Sequence, residues 1–118
     1  MKLPDGWHSL TPRIVTEDVA GLVGFLSEAF GATGEVHPDR PAVIRIVDSN
    51  VMISSAGPRR AMPVFLYAYV GDADATYERA IKAGARSLEK PVDMPYGDRR
   101  AMVEDRWGNV WQIATFKG

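Results

Sequence analysis

The chain of 118 residues consists of two similar halves. In each half an extended segment is followed by an acidic helix start, an apolar helical stripe, a glycine and two more short apolar segments. The segment Ile14-Val15…Asp18 matches Tyr69-Val70…Asp72, and Phe30-Gly31-Ala32 matches Ala83-Gly84-Ala85. A unit of roughly 50 residues cannot bury both faces of a small sheet by itself. The repeat therefore predicts two modules that complete one another.

We place repeat 1 at about residues 7–55, the linker at 56–63 and repeat 2 at about 64–117, within one domain of residues 1–118. Apolar residues at helical spacing predict a first helix that Gly31 ends, and Gly84 ends the second helix in the same way. The segment Asp48-Ser49-Asn50 is predicted to be the turn of a hairpin. Each half reads β-α-β-β, with an extra short strand as an option in the loop after the helix.

Composition excludes several classes of protein. The absence of cysteine excludes a disulfide framework, thiolate zinc sites and cysteine nucleophiles. A net charge of −1 argues against nucleic-acid or membrane-surface partners, which usually select a basic chain. The sequence has no apolar run of about 18 residues and no signal-peptide core, so we expect a cytoplasmic protein. Only two histidines, His8 and His37, are available for a metal site.

The second half carries the most recognisable motif. The run from Gly97 to Asp105, followed by Trp107 to Ile113, resembles the C-terminal signature of the vicinal oxygen chelate superfamily, which includes glyoxalase I, bleomycin resistance proteins and extradiol dioxygenases. The segment Tyr96-Gly97-Asp98-Arg99 resembles its PhnB-like branch. Two helix ends add to the resemblance, which covers roughly Leu10 to Phe116. The chain departs from the family where Arg106 stands in place of the usual proline.

The resemblance implies an α+β fold of two βαβββ modules. These would form a curved mixed sheet with the helices on its convex side and a concave ligand cup. It also implies a homodimer in which elements cross between subunits. In metal-dependent relatives four inward positions supply the metal ligands, and here they fall at about Thr11, Arg45, Phe65 and Gln112. A guanidinium cannot ligate a cation, and a lone amide is a weak ligand, so we predict no metal and no other cofactor.

Side chains alternate between the two faces of a strand, so these positions and their neighbours define a predicted lining. It comprises Thr11, Arg13, Arg45, Phe65, Tyr67, Tyr69, Arg100, Met102, Glu104, Trp107 and Gln112. Aromatic walls with a few polar groups are typical of small-molecule sites, and arginine can bind a carboxylate or phosphate or stack on a flat ring. The alternative is that these side chains pack together, with Arg45 against Glu104 and the tyrosines in a dimer contact. Asp98 and Arg99 have two readings as well, as residues that cap the loop or as ligand contacts.

The sequence thus predicts a metal-independent protein that binds an aromatic or anionic small molecule, drug-like compounds included. In this it resembles bleomycin resistance proteins and their role in antibiotic resistance. The alternative is a lyase or isomerase of the same superfamily, with Glu104 and His8 as the candidate acid–base residues. A third hypothesis is an interaction module whose own side chains fill the cup.

Overall fold

The computed structural model describes residues 1–118 and contains two α-helices and seven β-strands in two mixed sheets. The elements are β1 (Arg13–Thr16), α1 (Val19–Phe30), β2 (Ala42–Ile46), β3 (Ser49–Ser55), β4 (Phe65–Tyr69), α2 (Ala73–Lys82), β5 (Arg86–Asp93), β6 (Asp98–Glu104) and β7 (Val110–Phe116). This arrangement confirms the predicted α+β class. Neither helix has the length and apolar character that crossing a membrane requires.

The two modules share one pairing pattern. In the first sheet, of order β1-β3-β2, β3 is parallel to β1 and antiparallel to β2. In the second sheet, of order β4-β7-β6-β5, β7 is parallel to β4 and antiparallel to β6. Strand β5 extends the second sheet by one strand, so only the second module is βαβββ.

The first module is βαββ, which corrects the expectation of four strands in each half. The strand that would match β5 is reduced to one bridge between Thr33 and Arg45. Pro38 and Pro41 follow it and lack the N–H group that a ladder needs. Gly34, at φ +142°, lies so close to β2 that an added Cβ would meet the carbonyl oxygen of Val43 at 2.5 Å. The chain therefore leaves the sheet after a single pair.

Both helices begin and end as the sequence predicts. The Asp18 carboxylate accepts a hydrogen bond from the Gly21 N–H at 2.9 Å, which caps α1. The Asp72 carboxylate caps α2 in the same way, with the Ala75 N–H at 3.1 Å. Gly31, at φ +67°, closes α1 in the left-handed conformation that glycine adopts without strain.

Side chains of both modules meet in one buried cluster. Leu22 and Leu26 of α1 and Ile53 of β3 belong to it, as does Trp111 of β7. The rings of Phe30 and Trp111 pack with centroids 5.2 Å apart, which joins the end of α1 to the second sheet. Each sheet thus buries one face against the helices and leaves the other face uncovered.

The β2–β3 hairpin turns earlier than predicted. Ile46 pairs with Ser49, so the turn consists of Val47 and Asp48 instead of residues 48–50. Val47 has φ +54°, a left-handed conformation that is strained for a β-branched residue. A two-residue hairpin turn requires positive φ, and here a valine adopts it.

Candidate functional site

The second sheet has one open face, which we define by Tyr67, Gln112, Met102 and Arg100. Along β4, Phe65, Tyr67 and Tyr69 are exposed, whereas Leu66 and Ala68 pack against the core. Tyr67 pairs with Gln112 of β7, which in turn pairs with Met102 of β6. The predicted strand alternation therefore places these side chains on the same face.

A buried carboxylate organises the tyrosines of the open face. The hydroxyls of Tyr67 and Tyr69 both donate to Oδ2 of Asp98, at 2.5 and 2.9 Å. Asp98 is only 2% exposed, and the two rings meet edge to face with centroids 5.4 Å apart. Partial burial and the hydrogen bond to Asp98 raise the pKa of Tyr67, and the same hydrogen bond raises the pKa of Tyr69. Both phenols are therefore neutral donors, directed inward, with their rings accessible.

Arg100 closes the far side of this network. Its Nε and Nη2 donate to the two carboxylate oxygens of Glu89, at 2.9 and 3.1 Å. Its Nη1 donates to the hydroxyl of Tyr96 at 3.1 Å, and this hydroxyl lies 3.3 Å from that of Tyr67. The bidentate ion pair with Glu89 raises the pKa of Arg100. The guanidinium charge is thus neutralised within the protein.

A cleft of about 470 Å³ lies between edge strand β4 on one side and the β2–β3 hairpin with the N-terminal segment on the other. Its lining consists of His8, Leu10, Thr11, Pro12, Ile46, Val47, Asp48, Ser49, Asn50, Val51, Leu66, Tyr67, Ala68, Tyr69 and Trp111. This volume falls within the usual range for small-molecule pockets. Of the predicted site residues, Thr11, Tyr67, Tyr69 and His8 line it. The lining contains no lysine or arginine.

Arg45 holds one wall of this cleft in place. Its Nη1 donates to the carbonyl oxygen of Gly6 at 2.7 Å and to Oδ1 of Asn50 at 3.2 Å. Asn50 also donates to the Gly6 carbonyl oxygen, at 3.4 Å, and Nε2 of His8 lies 3.3 Å from the Asp48 carbonyl oxygen. Arg45 therefore fastens the N-terminal segment to the hairpin and does not pair with Glu104.

Three further predicted residues lie outside the cleft. Arg13 donates through Nε to Oγ of Ser54 at 3.1 Å. Glu104 forms an ion pair with Arg86 across the β5–β6 ladder. Trp107 donates through Nε1 to Oδ2 of Asp18 at 3.2 Å, and its ring packs against α1.

The cleft and the open face also contain residues that the sequence prediction left out. Asp98 had been weighed as a loop cap or a ligand contact, but it begins β6 and anchors both tyrosines. The signal was available, because Asp98 precedes Arg100 by two positions and alternation places both on one face. Leu10 and the hairpin turn carried no comparable signal. Arg99 points the other way, donating to both carboxylate oxygens of Asp74 at 2.7 and 3.1 Å, which joins β6 to α2.

The four positions that correspond to metal ligands in related sequences do not fit a divalent cation. They hold a hydroxyl, a guanidinium, a phenyl ring and an amide, at Thr11, Arg45, Phe65 and Gln112. Catalytic metal sites need convergent imidazole, thiolate or carboxylate donors. Nowhere in the structure do three such side chains come together.

Sequence and structure comparisons agree with this fold. The family model for the glyoxalase/bleomycin resistance protein/dioxygenase superfamily matches residues 8–113. The chain belongs to this superfamily. An uncharacterised protein from Mycobacterium bovis is 31% identical over 123 residues, which cover 89% of this chain and 81% of the relative.

Solved structures show the same superfamily fold at lower identity. TioX from Micromonospora sp. superposes with a TM-score of 0.80 at 21% identity, covering 92% of this chain and 98% of TioX. A glyoxalase/bleomycin resistance protein/dioxygenase family enzyme from Burkholderia phytofirmans superposes with a TM-score of 0.74 at 19% identity, covering 88% and 94%. Both matches support the fold and leave the ligand open.

The motif that marks the superfamily in this chain builds a turn. The Asp105 carboxylate accepts hydrogen bonds from the Trp107 and Asn109 N–H groups at 2.9 and 3.0 Å, and from Nε1 of Trp111 at 2.9 Å. Asp105 is 5% exposed, so its charge is balanced by these donors. The turn forms with Arg106 in the family's proline position. The motif thus fixes the β6–β7 hairpin, and the site lies elsewhere.

Proposed function

We propose that the protein binds a small, flat aromatic molecule in the cleft beside β4, without a metal ion. The observation that carries this proposal is the pair of rings at Tyr67 and Tyr69, which are exposed while their hydroxyls are held by Asp98. Rings fixed in this way lose little side-chain entropy when a ligand stacks on them. Offset or edge-to-face contact with an aromatic ligand is the interaction they offer.

The charges around the cleft favour a neutral or cationic ring. No lysine or arginine lines the cleft, and Asp48 contributes a carboxylate. The faces of tyrosine rings attract cations. Arg100 is paired with Glu89, and Arg45 is bonded to Gly6 and Asn50, so neither is available to hold an anion here. The anionic part of the sequence prediction therefore finds no support at this cleft.

This proposal groups the protein with ligand-sequestering members of the superfamily, and drug-like aromatic compounds are among the ligands to test. A role in antibiotic resistance would follow from binding such a compound. Membership of the PhnB-like branch stays a prediction, based on the segment Tyr96-Gly97-Asp98-Arg99.

We also propose a homodimer, because the sheet leaves large apolar side chains uncovered. Phe65, Tyr69 and Phe116 are 63%, 56% and 67% exposed. Contiguous exposed apolar surface of this kind marks interaction sites more often than plain monomer surface. Sedimentation velocity of the purified chain measures the subunit number directly, and a monomer at all concentrations would contradict this part of the proposal.

Binding is tested by calorimetric titration with a panel of planar aromatic compounds that are cationic, neutral or anionic. We expect saturable binding of cationic or neutral rings, and about tenfold weaker binding in Tyr67→Ala, because one stacking contact is worth about 1 kcal/mol. Tyr67→Phe retains the ring and should retain most of the affinity. Phe116→Ala is the matched control, since Phe116 is equally aromatic and exposed but lies outside the cleft. Equal affinity in Tyr67→Ala and Phe116→Ala would refute the proposed site.

A lyase or isomerase activity is the second candidate function. The observation that favours it is His8 in the cleft wall, because an imidazole is the usual acid–base group near neutral pH. Glu104 does not support it, since its carboxylate is paired with Arg86. Conversion of a bound compound that is lost in His8→Ala, while binding remains, would establish this alternative.

A further inference from the structure

A second cleft of about 360 Å³ lies where loop 37–41 approaches the end of β3 and the start of α1. It shares no lining residue with the aromatic cleft. Its polar lining includes Arg13, His37, Arg40, Ser54 and Ser55. Two guanidinium groups and two hydroxyls thus face one cavity.

Arg40 is arranged with its donors free. Its Nη2 lies 3.5 Å from Nδ1 and 3.4 Å from Nε2 of His37. Nearly equal distances to both ring nitrogens place this atom over the ring, which is the stacked arrangement that guanidinium groups favour. Arg40 forms no salt bridge. Stacking uses the face of the guanidinium and leaves its in-plane N–H groups available.

Arg13 presents a similar excess of donors. Only its Nε is used, in the hydrogen bond to Oγ of Ser54, and Arg13 forms no salt bridge. Ser54 accepts this bond, so its own hydroxyl hydrogen remains available. Asp39 is the one carboxylate of the lining, and it is not paired with either arginine. The lining therefore carries two permanent positive charges against one negative charge.

We propose that this second cleft binds a phosphate group, as free inorganic phosphate or as part of a small phosphorylated molecule. A tetrahedral oxyanion has enough terminal oxygens to accept from two guanidinium edges and a serine hydroxyl together. Its charge also relieves the repulsion between Arg13 and Arg40. The proposal is independent of the aromatic cleft, because the two lining sets do not overlap.

The test is a titration of the 13.0 kDa chain with inorganic phosphate, followed by the amide signals in nitrogen–proton correlation spectra. Sodium chloride of equal ionic strength is the reference, and glycerol 3-phosphate is a second ligand that distinguishes a free from an esterified phosphate. We expect saturable shifts in residues 13, 37–41 and 54–55. Tighter binding of the ester would identify a phosphorylated molecule as the ligand.

Arg40→Gln removes one charge without any other polar contact than that to His37, and should weaken phosphate binding about tenfold. Arg13→Gln should weaken it similarly, and the correlation spectrum shows whether that variant is folded. Arg59→Gln, in the exposed linker, is the matched loss of charge and should leave binding unchanged. The proposal is overturned by shifts that chloride reproduces, or by equal losses in Arg40→Gln and Arg59→Gln.

Discussion

At the scale of single residues, Asp98 fixes the protonation of two tyrosines. Partial burial and the hydrogen bond to Asp98 raise the pKa of Tyr67 above its usual 10.0, so the folded state holds this proton more tightly than the unfolded chain does. Above pH 10.0 the unfolded chain releases the proton first, and stability falls as pH rises. We expect the free energy of unfolding to fall more steeply across this pH in the native protein than in Tyr67→Phe, as measured by urea unfolding.

A second variant separates the carboxylate from the burial of the phenol. Asp98→Asn keeps the size of the acceptor but removes its charge, and the charge is one cause of the raised pKa of both Tyr67 and Tyr69. The late part of the phenolate absorbance titration should therefore move to lower pH in Asp98→Asn. A titration identical to that of the native protein would contradict the assignment of Asp98 as the shared acceptor.

At the scale of elements, the cleft depends on how the N-terminal segment is attached to the β2–β3 hairpin. Arg45 reaches across 39 positions to the carbonyl oxygen of Gly6 at 2.7 Å, and Trp7 adds only a local turn bond to Pro4. We expect Arg45→Gln to raise the mobility of residues 6–8 in nitrogen relaxation measurements. Affinity for an aromatic ligand should fall several-fold, while the free energy of unfolding changes by about 1 kcal/mol.

Arg59→Gln is the control for this prediction, because Arg59 is exposed in the linker and belongs to neither wall. If Arg45 bound the ligand directly, Arg45→Gln would lower affinity and leave residues 6–8 rigid. Mobility and affinity that change together identify Arg45 as a positioning residue.

At the scale of the whole molecule, the sequence predicted whatever depends on short-range periodicity. The helix caps at Asp18 and Asp72 and the faces of β4 follow from local rules of this kind. The partners of long side chains did not follow, because an arginine can reach several acceptors that only the folded chain brings near. Arg45 was placed in the ligand site and instead holds Gly6. Neither could a valine at positive φ be expected, since its local preference opposes that conformation.

The junction of the two modules also depends on a contact between residues far apart in sequence. Trp107, at the β6–β7 hairpin, donates to Asp18 across 89 positions and packs edge to face on Phe25 with centroids 6.3 Å apart. Gly21 makes room for it, because an added Cβ there would meet Cζ2 of Trp107 at 2.8 Å. The first turn of α1 thus carries a glycine where alanine would favour the helix by about 1 kcal/mol.

This arrangement predicts that the effect of Gly21→Ala on stability changes sign with the residue at position 107. In the native background Gly21→Ala should destabilise, because Trp107 is displaced. In Trp107→Ala, which itself costs about 2–3 kcal/mol, the same change should stabilise by about 0.5–1 kcal/mol. Gly24→Ala is the matched control, since nothing lies within 4 Å of its added Cβ, and it should stabilise both backgrounds equally. Urea unfolding of the six proteins measures the coupling, and additive effects at positions 21 and 107 would show that Trp107 does not join the modules through α1.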